Sequence, residues 1–126
     1  MDLFINLSQI FLAAAMFDVW WLRYHTPGIF RGGDSKTMEE EFRVYGLPDW
    51  FRNLVRVLKL GAGGLMLVGL WSAPIAFFAG VGLAILMGGA VSMHIKVRDP
   101  LYKTIPSFSF LLLCLLVAYW HRPPFF

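Results

Sequence analysis

The sequence predicts an all-α fold: an integral membrane bundle of four helices, with a short amphipathic interfacial helix between the first and second. Three observations lead there. Of 126 residues, 58% are hydrophobic and only 15% charged, where a soluble domain carries about 25% charged residues. Apolar runs of bilayer-crossing length recur four times. The lysines and arginines gather in the segments between those runs. A chain this short has too little interior to hide so much apolar surface from water, and each crossing takes about 20 residues of helix. Four crossings and one polar segment therefore use up a single domain covering residues 1–126, with no room for a separate catalytic unit.

The first span is expected over residues 3–22. It is interrupted by Asn6, Ser8, Gln9 and Asp18 and ends in Trp20, Trp21 and Tyr24. Ala13-Ala14-Ala15 imitates a signal-peptidase site, but the amino end carries Asp2 rather than basic residues, so the helix is expected to be retained. The stretch 23–53 is polar. Within it, Thr37-Met38-Glu39-Glu40 has the spacing of a capping box, Met38, Phe42 and Tyr45 recur at i, i+4 and i+7, and Gly46 and Pro48 supply a stop. That pattern predicts a two-turn helix lying on the membrane surface. Asp49 then stands ready to cap a second span over 54–71, and Ser72-Ala73-Pro74 makes a turn into a third over 75–94. A polar segment follows before a fourth span over 105–120.

Four crossings put both termini on one side. The loop side holds Arg23, Arg31, Lys36, Arg43, Arg52, Lys96, Arg98 and Lys103, and the terminal side holds Arg122. By the positive-inside rule the basic loops face the cytoplasm and both termini lie outside, as in a bacterial inner membrane. The net charge of +3 flanks apolar runs rather than covering a polar surface, which favours membrane lipids over nucleic acid as its counterpart.

Two constellations stand out. Ala76, Gly80, Ala84, Gly88 and Ser92 repeat every four residues and form a ridge without bulk. In lipid, close backbone approach across small residues is a main source of packing energy, so the ridge serves either the packing of these helices or a face for another subunit. The second constellation is polar. Arg52, Arg56 and Lys59 form a cationic stripe entering the second span, and Asp18 on the first span and His94 on the third reach the same depth. An ionised group at mid-bilayer costs about 2.5–3.5 kcal/mol on insertion scales, so a pairing of Asp18 with Lys59 is expected. The cluster Asp18, Arg56, Lys59 and His94 reads either as a structural ion pair with an interfacial histidine or as a headgroup, quinone or proton site. The histidines are scattered and Cys114 is the single cysteine, so no metal site and no dithiol chemistry within the chain is expected. Gly-x-Ser-x-Gly, phosphate-loop and dinucleotide fingerprints are absent.

Glu41-Phe42-x-x-Tyr45-Gly46-Leu47-Pro48, Val57-Leu58-Lys59-Leu60-Gly61-Ala62 and His94-x-x-x-x-Asp99-Pro100 resemble the DoxX-like membrane proteins, in order and spacing, over roughly residues 36–120. The resemblance implies a four-helix integral membrane fold rather than one activity. Some branches of that family are subunits linked to quinone-coupled sulfur oxidation, and others look like assembly factors or accessory subunits. Position 59, where family members often carry glutamate, is lysine here, and the usual Gly-x-x-Lys-Leu ending of the first helix is missing.

The expected function is that of an accessory or assembly protein acting through helix contacts with a membrane partner or a second copy, with no cofactor and no catalysis of its own. The alternative is a membrane subunit of a quinone-linked oxidoreductase, with Asp18, Lys59 and His94 touching the quinone headgroup. A small-solute transporter is a weaker alternative.

Overall fold

The computed structural model describes residues 2–25, 28 and 31–124, and every regular element among them is helical. Helix α1 spans Asp2–Phe17 and continues without a break through a π-helical turn, Asp18–Leu22. Helix α2 is Met38–Tyr45, α3 is Asp49–Val68, α4 is Ala73–Lys96 and α5 is Leu101–Trp120. The segments Leu3–Leu22, Ala73–Lys96 and Leu101–Trp120 are long and apolar enough to cross a membrane. Helix α3 is long enough but does not join them, because Arg52, Arg56 and Lys59 occupy its first half.

The polarity boundaries in the sequence are not the helix boundaries. Helix α3 begins at Asp49 rather than near residue 54, α4 runs over Ala73–Lys96 rather than 75–94, and α5 begins at Leu101 rather than near 105. The added first turns of α3 and α5 include Asp49, Arg52, Lys103 and Thr104, which helix geometry accepts because each charged side chain finds a partner. Asp49, for instance, takes a hydrogen bond from Arg52 at 2.7 Å. Pro48 and Pro100 stand immediately before α3 and α5, and Pro74 lies in the first turn of α4, where a missing N–H costs nothing.

The end of α1 carries its own signature. The Arg23 amide donates to the Asp18 carbonyl at 2.8 Å, a five-residue step that widens the last turn. The Trp20 carbonyl in that turn accepts from Arg56 Nε of α3 at 3.1 Å. Helix α2 is built as its sequence indicates: the Thr37 side chain accepts from the Glu40 amide at 3.2 Å, and Glu40 reaches back to the Lys36 amide at 2.7 Å. Gly46 closes α2 in the left-handed region, φ 79°, which an L side chain rarely adopts.

Helix α1 packs on α3 and α5, α3 on α4, and α4 on α5, so the long helices close a ring. The two ends of the ring differ. At the terminal end, buried Gln9 donates to the Met66 carbonyl of α3 at 3.0 Å and meets His121 Nε2 at 2.9 Å, joining three chain segments. At the loop end, α2 lies across the ring. The Met38 amide donates to the Tyr24 carbonyl at 2.9 Å, and Lys96 caps the last turn of α2 through the Tyr45 carbonyl at 2.7 Å.

The small-residue ridge of α4 divides in two. A Cβ placed on Gly80 would lie 3.1 Å from both the Ala118 amide nitrogen and the Cys114 carbonyl oxygen of α5, and one on Gly69, just after α3, would lie 2.8 Å from Ala76. Ala76, Gly80 and Ala84 are buried. Gly88 would meet nothing within 4 Å, and Ser92 is exposed with its hydroxyl on the Gly88 carbonyl. Within this chain, then, the ridge packs through Ala76, Gly80 and Ala84, and Gly88 and Ser92 lie off that face. A residue turns about 100° around an α-helix, so each four-residue step gains about 40° and Gly88 faces about 80° away from Gly80.

Candidate functional site

The loop end of the ring encloses a cavity of about 670 Å³. Its walls are chiefly apolar: Met16 and Trp20 from the first helix, Met38 and Phe42 from α2, Val55 from α3, Met87 and Met93 from α4, and Phe110 from α5. Pro106 and Ser107 of α5 belong to the wall as well. Exposed Ile85 and Gly89 of α4 border the same space, so it reaches the outer surface along the flank of α4.

A polar lid closes the cavity from above. Glu41 falls on the inward stripe of α2 with Met38, Phe42 and Tyr45, and all four are buried. Its carboxylate takes a hydrogen bond from Arg31 Nη1 at 3.0 Å and another from the Tyr45 hydroxyl at 2.6 Å. Arg31, also buried, donates to the Tyr24 carbonyl at 3.2 Å and to the Arg23 carbonyl. One guanidinium thus ties the end of the first helix to α2. Burial and the neighbouring Glu41 carboxylate push the Tyr45 hydroxyl far above its usual pKa, so it remains a hydrogen-bond donor.

A second latch lies beside it. Asp99, in the turn after α4, accepts from the Gly33 amide at 2.8 Å with one carboxylate oxygen and meets His94 Nδ1 at 2.7 Å with the other. Lys103 donates to the Gly33 carbonyl at 2.6 Å and stands 4.0 Å from Asp99. Arg31, Glu41, Lys103 and His94 all line the cavity below.

The four residues of the polar cluster read from sequence are sorted into two places. Lys59 and His94 come together as lining of the same cavity, both buried. Asp18 and Arg56 do not join them. Asp18 pairs with Arg23 at 2.9 Å, with 41% of its side chain exposed, so the expected Asp18–Lys59 pair does not form. The reason is local: Asp18 falls four residues after Ala14 and seven after Phe11, on the exposed stripe of the first helix, and the wide turn brings Arg23 beside it. Arg56 lies over the Tyr24 ring at 4.3 Å and the Trp21 ring at 5.3 Å, outside the cavity. Lys59 lies 4.6 Å over the Trp20 ring. Among the described residues, no group of three or more His, Cys, Asp or Glu could hold a metal.

Sequence reasoning missed Arg31, taken only as a basic loop residue, and Lys103. Arg31 carries no spacing signal, because it acts on carbonyls and a carboxylate brought near by the fold; Lys103 had only its place four residues after Asp99. Glu41 carried a signal, as a carboxylate at i+3 within an apolar i, i+4, i+7 stripe and as the first residue of Glu41-Phe42-x-x-Tyr45-Gly46-Leu47-Pro48.

Apolar helices long enough to cross a bilayer, closed around an interior cavity under a polar lid, define a small helical membrane protein. The chain belongs to the DoxX-like family, whose sequence model matches residues 10–118. It is also 30% identical, over 92 residues covering 72% of this chain and 77% of the other, to a Bacillus subtilis (strain 168) protein called Uncharacterized protein YdgD. No solved structure matches the chain.

Proposed function

We propose that this membrane protein is a non-catalytic accessory subunit, and that what it contributes to a membrane complex is the loop-end cavity, a site for a lipophilic small molecule. The observation that carries this reading is the cavity of about 670 Å³ with its apolar, methionine-rich and aromatic walls, a size and character typical of ligand sites at about 300–1,000 Å³. Methionine walls adapt to irregular guests. In this reading α3 is the fourth crossing: Arg52 and Arg56 stand near its loop-side end, where long cationic side chains can reach the interface, and Lys59 turns inward. The basic loops then face the cytoplasm of a bacterial inner membrane and α2 lies at that interface. Purification from native membrane in mild detergent, with mass spectrometry of subunits and lipophiles, tests it. A stoichiometric lipophile and a co-migrating subunit are expected, and recovery of the bare chain would overturn the reading.

One feature favours a quinone-linked subunit as a second reading. Trp20 and Phe42 offer aromatic plates beside the donors Lys59 and His94, a combination suited to a flat ring with carbonyl oxygens. Quenching of Trp20 fluorescence by a short-chain quinone, lost in Trp20→Phe, is the expected result. Equal quenching in both proteins would remove this reading.

A further inference from the structure

The cations lining the cavity are not alike. Arg23 is paired with Asp18, Arg31 with Glu41, and Lys103 with the Gly33 carbonyl and Asp99. Glu41 is already engaged twice, by Arg31 and by Tyr45. Lys59 is 6% exposed, and among the described residues it donates no hydrogen bond and forms no ion pair; its ammonium rests over the Trp20 ring at 4.6 Å and lines the cavity. A ring face compensates only part of the hydration that a buried ammonium gives up. Among the described residues that line the cavity, Lys59 is thus the cation without a direct anionic partner, at a wall whose other side chains are chiefly apolar.

We propose that the cavity takes a single-chain lipophilic monoanion, a carboxylate of the fatty-acid type, whose acid group pairs with Lys59. This rests on the reading of the cavity as a lipophile site and adds the charge of the guest. One unmatched cation calls for one negative charge, and the apolar walls call for an aliphatic body. The cavity has the volume of one drug-sized molecule rather than a two-tailed lipid. The route for the tail is on the flank of α4, where Ile85 is 71% exposed and Gly89 adds no side chain, both bordering the cavity. The acid group would thus sit under the lid with its chain directed toward the lipid side.

The test uses the full chain in phosphatidylcholine nanodiscs near neutral pH, titrated with laurate, with dodecanol and with a short-chain quinone. Trp20 emission and melting temperature are the readouts. Laurate is expected to bind saturably and raise the melting temperature, with dodecanol about tenfold weaker. Lys59→Met should bring the two ligands to equal affinity and Lys59→Arg should keep the preference for laurate. Dodecanol or the quinone binding wild-type protein as well as laurate overturns the proposal and leaves the lipophile site standing. Binding of none of the three overturns both. A co-purified phospholipid that laurate fails to displace also overturns the carboxylate assignment. If Lys59→Met does not fold, the laurate-to-dodecanol ratio on wild-type protein decides alone.

Discussion

Asp99 and His94 face each other across 2.7 Å, with both side chains buried, so that the turn leaving α4 is folded back onto the last turn of that helix. The second oxygen of Asp99 is committed to the Gly33 amide, which fastens the loop preceding α2 to the base of α5. Replacing Asp99 by alanine removes both attachments and leaves the half-buried Gly33 amide without this acceptor, a loss of about 1 kcal/mol. Amide exchange at Gly33 should quicken in Asp99→Ala and change much less in His94→Ala. Unchanged exchange at Gly33 would show that the loop is held by other means.

The Arg31–Glu41 pair is expected to behave as a buried ion pair. Both side chains are close to nine-tenths buried, and removing one partner strands the other charge, at a cost of about 3–5 kcal/mol. Arg31→Met and Glu41→Leu should each lower the melting temperature more than the double substitution does. Strictly additive losses would mean that the two groups act independently.

Gly80 and Gly88 should separate sharply. Leucine at Gly80 must push α5 away, because Ala118 and Cys114 backbone atoms already stand 3.1 Å from where its Cβ would be. Overpacking of this kind costs about 1–3 kcal/mol or more, and lipid offers no hydrophobic compensation for parting the helices. Gly88→Leu enters open space and should melt within a degree or two of wild type. The reverse order would show that α4 is rotated from the position described.

Much of this architecture was legible in the sequence. The first span over 3–22, the helix stop at Gly46 and the common depth of Lys59 and His94 along their helices follow from hydropathy, turn chemistry and residue number. Depth along a helix is readable because it depends only on residue number. Direction around the helix is harder: Asp18 falls on the same outward stripe as exposed Leu7, Phe11 and Ala14, and the accumulated rotation of a four-residue repeat carried Gly88 off the packing face. The lid was invisible for a different reason, since Arg31 acts on carbonyls of residues that no pattern brings near it.

Whether α3 crosses the bilayer can be decided by labelling. Cysteines introduced at Ser35 and Arg122 report the loop end and the terminal end. Buried Cys114 is expected to react slowly and serves as the background. With four crossings, Ser35→Cys is labelled from the cytoplasm and Arg122→Cys only from outside. If α3 stays on the cytoplasmic side, the chain crosses three times and both positions are labelled from the same side.

The contact of α4 with α5 at Gly80 also has a mechanical consequence. Two rods pressed together at one level and joined again by a short turn beyond the cavity form a braced frame with two fixings. One fixing is the Gly80 contact; the other is the turn after α4, where Asp99 meets His94 and stands 4.0 Å from Lys103 of α5. From Gly80 to His94 the span is fourteen residues, or about 21 Å at about 1.5 Å per residue. A tilt at either fixing is opposed by the other, so the glycine that makes the joint tight also keeps the gap between the two helices at a set width.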